Sequence, residues 1–118
     1  MNRVEVAVAD ERERRILDVI RALRPGEVTT YGDVAEIAGY PKRSRLVGRI
    51  LATTDVEVPW WRVVNASGQL RANEVGEQAA LLRSEDVTVV DERVRDAPLG
   101  RFRSGQVRRP DRDPRPRT

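Results

Sequence analysis

The run Thr29-Thr30-Tyr31-Gly32-Asp33-Val34-Ala35-Glu36-Ile37-Ala38-Gly39-Tyr40-Pro41-Lys42-Arg43-Ser44-Arg45-Leu46-Val47-Gly48-Arg49-Ile50-Leu51-Ala52 reads as two short helices joined by a tight turn. Thr30 and Asp33 have the spacing of a capping box, so a helix is expected from Tyr31. It carries Val34, Ala35 and Ile37 and stops at Gly39, a C′ glycine that adopts a left-handed conformation without steric cost. Pro41 suits the first turn of the next helix, expected over Lys42 to Ala52. There Val47, Ile50 and Leu51 share one face, and Arg43, Ser44, Arg45 and Arg49 lie nearer the other. Lys42, Arg43, Arg45 and Arg49 fall within eight residues with no acid between them. Two helices around a glycine turn, the second one basic, form a helix-turn-helix pattern. Helices also pack this way for structural reasons alone, and the charge tilts the reading towards DNA.

On the N-terminal side, Ile16, Val19, Ile20 and Leu23 recur at i, i+3, i+4 and i+7, which predicts an amphipathic helix. Asp10 and Glu13 are spaced to cap its start, and Pro25-Gly26 stops it. Glu5 to Val8 reads as a short strand or an extended arm. Val28-Thr29-Thr30 is a short β-branched segment. On the C-terminal side, Val58-Pro59-Trp60-Trp61-Arg62-Val63-Val64-Asn65 is dense in apolar and aromatic residues, and Pro59 excludes a regular central strand there. Ala66-Ser67-Gly68 is a turn, Gln69-Leu70 starts a hairpin arm, Gln78 to Ser84 is helical, and Val87 to Val90 is a strand with Glu92 to Val94 as its partner. The expected fold is mainly α with a small β wing, a winged helix-turn-helix. Its parts are an arm over residues 1–9, the domain over 10–100 and a disordered Arg/Pro-rich tail over 101–118.

The chain has 118 residues, enough for one domain. It contains neither cysteine nor histidine. That excludes disulfides, thiolate nucleophiles, imidazole metal sites and Ser-His-Asp or Cys-His catalysis. No apolar run approaches the roughly 20 residues of a membrane helix, and the N-terminus has no signal-like h-region. A soluble cytoplasmic protein is expected, associated with the nucleoid through DNA, with no membrane partner. The formal charge is +3, and the sequence pI is about 10.1. Seven arginines and two aspartates lie between Arg101 and Thr118, while residues 1–100 carry 15 basic and 17 acidic side chains. The high pI therefore belongs to the tail, which is either a solvated extension or a source of salt-dependent phosphate affinity.

Four segments carry a family resemblance: Thr29-Thr30-Tyr31-Gly32-Asp33-Val34-Ala35, Ala38-Gly39-Tyr40-Pro41-Lys42, Arg45-Leu46-Val47-Gly48 and Val58 to Gly68. In this order they resemble the DNA-binding domain of O6-alkylguanine-DNA alkyltransferases, from about Ile16 to Val94. That family's acceptor site reads Pro-Cys-His-Arg. Here it reads Pro59-Trp60-Trp61-Arg62. Tryptophan in place of the cysteine resembles the alkyltransferase-like proteins, which usually keep the histidine and read Pro-Trp-His-Arg; this chain has lost it as well. An indole is neither nucleophile nor base. Glu85 matches the glutamate that supports the histidine, and without that histidine it is expected to be an ordinary surface or salt-bridged acid.

The resemblance also implies roles. Tyr31, at a helix N-terminus beside Thr30, matches the tyrosine that pushes on the target phosphate; the structural alternative is a tyrosine packed between helices. Arg45 matches the arginine that stacks in place of a flipped base. Gly48 matches a small residue that admits the minor groove; otherwise it is a core glycine at a helix crossing. Arg43 and Ser44 stand where relatives carry small residues, and Arg43 is expected to swing to a phosphate. Lys42 and Arg49 complete the DNA-binding set. Trp60, Val63, Val64, Asn65 and Tyr31 form the implied lesion pocket, with Trp61 assigned to packing. Arg71 and Asn73 stand closest to a loop arginine that some relatives place against the base.

The reading that the resemblance implies is a non-enzymatic DNA damage sensor, expected to flip O6-alkylguanine out of duplex DNA through the minor groove and to flag it for nucleotide excision repair proteins. It acts as a monomer, without cofactor or metal. The alternatives are a winged-helix transcription regulator, which would prefer a base sequence, and a degenerate domain serving as a protein adaptor, which the net charge of −2 over residues 1–100 keeps open.

Overall fold

Helix α1 spans Arg3–Arg21, longer than its capping signal suggests. Glu5 to Val8 is helical, neither strand nor arm, and Asp10 lies inside the helix. Residues 3–21 contain no glycine or proline, so nothing interrupts the hydrogen-bond ladder at Asp10. The computed structural model describes residues 3–104, with side chains from residue 11. Ile16, Leu17 and Ile20 face the core. The outer face neutralises itself: Glu11 pairs with Arg14 and Arg15, and Asp18 with Arg14 and Arg21.

Strand β1 (Glu27–Thr30) leads directly into α2 (Tyr31–Ala38). The sequence signals hold at both ends. Thr30 Oγ1 accepts from the Asp33 N–H at 3.1 Å, and Gly39, at φ 100°, donates its N–H to the carbonyls of Ala35 and Glu36. Helix α3 is Ser44–Thr53, two residues later than expected. Lys42 has φ 68°, a left-handed conformation incompatible with a helix interior, so Pro41 belongs to the inter-helix turn. Leu46, Val47 and Ile50 of α3 pack with Val34, Ala35 and Ala38 of α2 over α1.

A 3₁₀ turn, Trp60–Arg62, replaces a strand after Pro59 and feeds β2 (Val63–Val64). Helix α4 (Val75–Arg83), β3 (Thr88–Val90) and β4 (Arg93–Asp96) follow. Strands β3 and β4 form the expected antiparallel hairpin; its turn places Asp91 and Glu92 at φ 54° and 60°, the left-handed pair that two-residue hairpins favour. Gln69 bridges β4 at Arg93. These elements enclose a second core of Val28, Val64, Leu70, Leu82, Val87, Val89 and Val94. Between the cores runs a parallel sheet in which β1 pairs with β2 on one side and with β5 (Leu99–Gly100) on the other. Gly100 is required there: a Cβ would stand 2.6 Å from the Val28 carbonyl oxygen.

The folded part therefore passes the boundary expected at residue 100. Phe102 packs on the second core, its carbonyl accepts from Ala97 N–H at 3.0 Å, and Arg101 Nη1 donates to Thr30 Oγ1 at 3.1 Å. The rest of the predicted tail, 105–118, lies outside the described residues. Among the described residues no helix is long and apolar enough to cross a membrane.

Candidate nucleic-acid interface

Burying Leu46, Val47 and Ile50 turns the opposite face of α3 outward. Arg45, Gly48, Arg49 and Ala52 lie on it at i, i+3, i+4 and i+7. Lys42, Arg43 and Ser44 are exposed just before it. Among the described residues none of Lys42, Arg43, Arg45 and Arg49 forms an ion pair, whereas Arg14, Arg15 and Arg21 of α1 all do. The positive charge of α3 is thus open. Gly48 is not a crossing point, because an added Cβ would meet nothing within 4 Å. A glycine inside a helix costs about 1 kcal/mol relative to alanine, and no internal contact here requires it.

The far end of this face opens on a cavity of about 380 Å³ lined by Leu51, Ala52, Trp60, Arg71, Asn73 and Glu74. Trp60 is half-buried and also borders a second cavity of about 650 Å³, next to Asp55, Pro59 and Trp61. The two indoles meet edge to face, centroids 6.1 Å apart. Tyr31 belongs to the same neighbourhood. Burial pushes its hydroxyl pKa up, Arg71 pulls it down by charge and hydrogen bonding, and Glu74 adds a smaller upward push. The structure therefore brings Tyr31, Trp60, Arg71 and Asn73 together at the end of the arginine face.

Four other expected site residues sit elsewhere. Val63 and Val64 are sealed in the two cores, because β2 is the strand that bridges them, and neither side chain reaches the cavity. Asn65 shapes the following turn: its Oδ1 accepts from the N–H groups of Ser67 and Gln69 and from the Ser67 hydroxyl. Thr30 is buried, with its hydroxyl occupied by the α2 cap and by Arg101.

Glu85 is not an ordinary surface acid. Its carboxylate accepts from Gly26 N–H (2.9 Å), Trp61 Nε1 (2.9 Å), Arg62 Nε (3.0 Å) and Arg62 Nη2 (2.6 Å), with both charged side chains about nine-tenths buried. Arg62 Nη1 also donates to the Leu23 carbonyl at 2.8 Å. Burial alone raises the Glu85 pKa, but the hydrogen bonds from Arg62, Gly26 and Trp61 outweigh it and hold the carboxyl below its usual range. The expected salt bridge is present, and Trp61 supplies the third donor. Gln78 is a second hub that sequence reasoning missed. Fully buried, it accepts from Arg71 N–H at 2.8 Å and donates to the carbonyls of Trp61 and Val63. A polar residue on the inward face of α4 was the only signal for it.

A helix-turn-helix with an uncompensated basic second helix, closed by a small β wing, defines a winged-helix DNA-binding domain. The particular family is equally plain: residues 11–87 match the 6-O-methylguanine DNA methyltransferase, DNA binding domain, and the chain belongs to that family. It is 38% identical to the DNA base-flipping protein of Escherichia coli (strain K12) over 84 residues, 68% of this chain and 65% of that one. It is 33% identical to alkyltransferase-like protein 1 of Schizosaccharomyces pombe over 81 residues, 65% of this chain and 75% of that one. Among solved structures it resembles S. pombe Atl1 in complex with damaged DNA containing O6-carboxymethylguanine. The TM-score is 0.62 at 31% identity, covering 69% of this chain and 81% of that one.

Proposed function

We propose that this chain is a non-enzymatic reader of alkylated DNA. It binds duplex DNA through the minor groove with the open face of α3, rotates an O6-alkylated guanine out of the stack and holds it against Trp60. A lesion inside a stacked duplex presents no face to a pocket, so extrusion is needed. Arg45 fills the vacated position, Tyr31 presses on the target phosphate, and Lys42, Arg43, Ser44 and Arg49 hold the flanking backbone. Gly48 lets the groove approach the helix. The names of the relatives and the damaged-DNA complex of S. pombe Atl1 support this reading.

The observation that carries it is the setting of Trp60. It occupies the position the resemblance gives to the acceptor cysteine, half-exposed at a cavity that continues the arginine face. An indole offers a flat apolar wall to a base, and such stacking contributes about 1–3 kcal/mol. With no cysteine or histidine in the chain, the bound lesion is gripped and not repaired. A persistent complex of one monomer with the lesion then flags it for nucleotide excision repair proteins. The test compares affinities for O6-methylguanine and unmodified duplexes at fixed salt. Tighter binding of the lesion is expected, and equal affinities overturn the reading.

A further inference from the structure

The cavity beside Trp60 is lined by one cation and one anion, and they neutralise each other. Arg71 Nε lies 2.9 Å from Glu74 Oε1 across the 3₁₀ turn Ala72–Glu74, whose geometry stacks residues i and i+3. The Glu74 N–H closes that turn on the Arg71 carbonyl at 3.0 Å. Arg71 is also fixed from behind, because its N–H is held by the buried Gln78. The rest of the lining is Leu51, Ala52, Trp60 and Asn73, which carry no charge.

We infer that Glu74 makes this pocket selective for uncharged O6 substituents over anionic ones by occupying Arg71. The inference rests on the lesion-binding reading above and adds a ligand class to it. An alkyl substituent meets Leu51, Ala52 and the face of Trp60. A carboxylate substituent meets the Glu74 carboxylate, and the one cation that would pair with it is already engaged. With Arg71 held by Glu74, a substituent carboxylate gives up water at the cavity wall without gaining a cation, and a partly exposed term of this kind amounts to about tenfold in affinity.

The test measures binding of three duplexes at one salt concentration: unmodified, O6-methylguanine and O6-carboxymethylguanine. Unaltered protein, Glu74→Gln and the double variant Glu74→Gln/Arg71→Met are compared. Affinity ratios between lesions are read, since removing a negative charge strengthens binding to every duplex alike. The unaltered protein is expected to favour the methyl lesion about tenfold over the carboxymethyl lesion. Glu74→Gln abolishes that preference, and Arg71→Met in the same background removes the gain. Equal affinity of the unaltered protein for both lesions, or a Glu74→Gln effect shared by both, overturns the inference and leaves the lesion reading intact. Failure to distinguish either lesion from unmodified DNA overturns the reading itself, and this inference with it.

Discussion

The indole Nε1–H of Trp61 donates to Oε2 of Glu85 across 2.9 Å, from a neighbour of Trp60 to the residue just past the C-cap of α4. The family resemblance gives these two positions to a histidine and its supporting glutamate. Here the donor survives and the base does not. Trp61 keeps the carboxylate in place, and Arg62 and Gly26 complete its shell. In this chain the cluster is a structural bolt joining the Pro59–Arg62 segment, the turn at Gly26 and the end of α4.

That bolt makes a stability prediction. Glu85→Ala leaves the Arg62 guanidinium buried without its partner, and breaking a buried pair from one side costs about 3–5 kcal/mol. Trp61→Phe removes one hydrogen bond of four and costs about 1 kcal/mol. Urea unfolding of the two variants should show this order. Equal losses would mean that Trp61 acts mainly through packing.

The same residue sets a pH dependence. Glu85 titrates below its ordinary 4.5 in the folded chain, so the unfolded chain takes up the proton first as pH falls. Its contribution is complete above about pH 4.5 and is lost as pH drops from there through the folded value. Unfolding midpoints measured from about pH 6 to 3 should decline, and Glu85→Gln, although less stable throughout, should decline less steeply. Parallel curves would assign the acid sensitivity to other carboxylates.

The elements that show how far the sequence could be read are the ends of α2. Thr30, Asp33 and Gly39 act within one turn of chain, and local chemistry fixed them. The start of α3 escaped because Pro41 is allowed both in a turn and in a first helical turn, and only the left-handed Lys42 separates the two. Strand β5 escaped because it is two residues long and pairs with β1 across some seventy residues, with Gly100 as its only mark. Of the cavity lining, Trp60, Arg71 and Asn73 were singled out through the family pattern, and Tyr31, singled out with them, stands beside Arg71. Val63 and Val64 were misplaced because the same pattern does not say which core a two-residue strand faces. Glu74 carried no signal until the 3₁₀ turn set it against Arg71.

Gly48 separates stability from binding. Its missing side chain leaves open space in a helix interior, so Gly48→Ala should stabilise the free protein by about 0.5–1 kcal/mol. Gly48→Leu should fold as well as the parent and yet bind duplex DNA at least about tenfold more weakly, because the bulk stands between Arg45 and Arg49 on the approaching face. Thermal unfolding and DNA titration of both variants check this. Unchanged affinity for Gly48→Leu would move the interface off this face of α3.

Arg45 is exposed and unpaired among the described residues, so Arg45→Ala should leave the unfolding midpoint within about 0.5 kcal/mol of the parent. Its loss should instead weaken lesion binding by about 1–3 kcal/mol, the range of a stacked and hydrogen-bonded base contact. Arg49→Ala should behave differently, weakening lesion-bearing and intact duplexes equally and lowering the salt slope by about one unit. A uniform effect from Arg45→Ala as well would make it a phosphate contact and remove it from base flipping.

Restoring sulfur at position 60 should not restore repair. A thiol near its ordinary pKa of about 8.5 is mostly protonated at neutral pH and needs an adjacent base. In Trp60→Cys the adjacent side chain is Trp61, a donor only, already committed to Glu85. Trp60→Cys/Trp61→His would set an imidazole against the Glu85 carboxylate, which orients it to take the thiol proton. Intact-mass measurement over time, after mixing each variant with O6-methylguanine DNA, should show alkyl gain at least about 100-fold faster in the double variant. Equal rates in the two would show that thiol activation comes from another group, and that the exchange of histidine for Trp61 was not what silenced the chemistry.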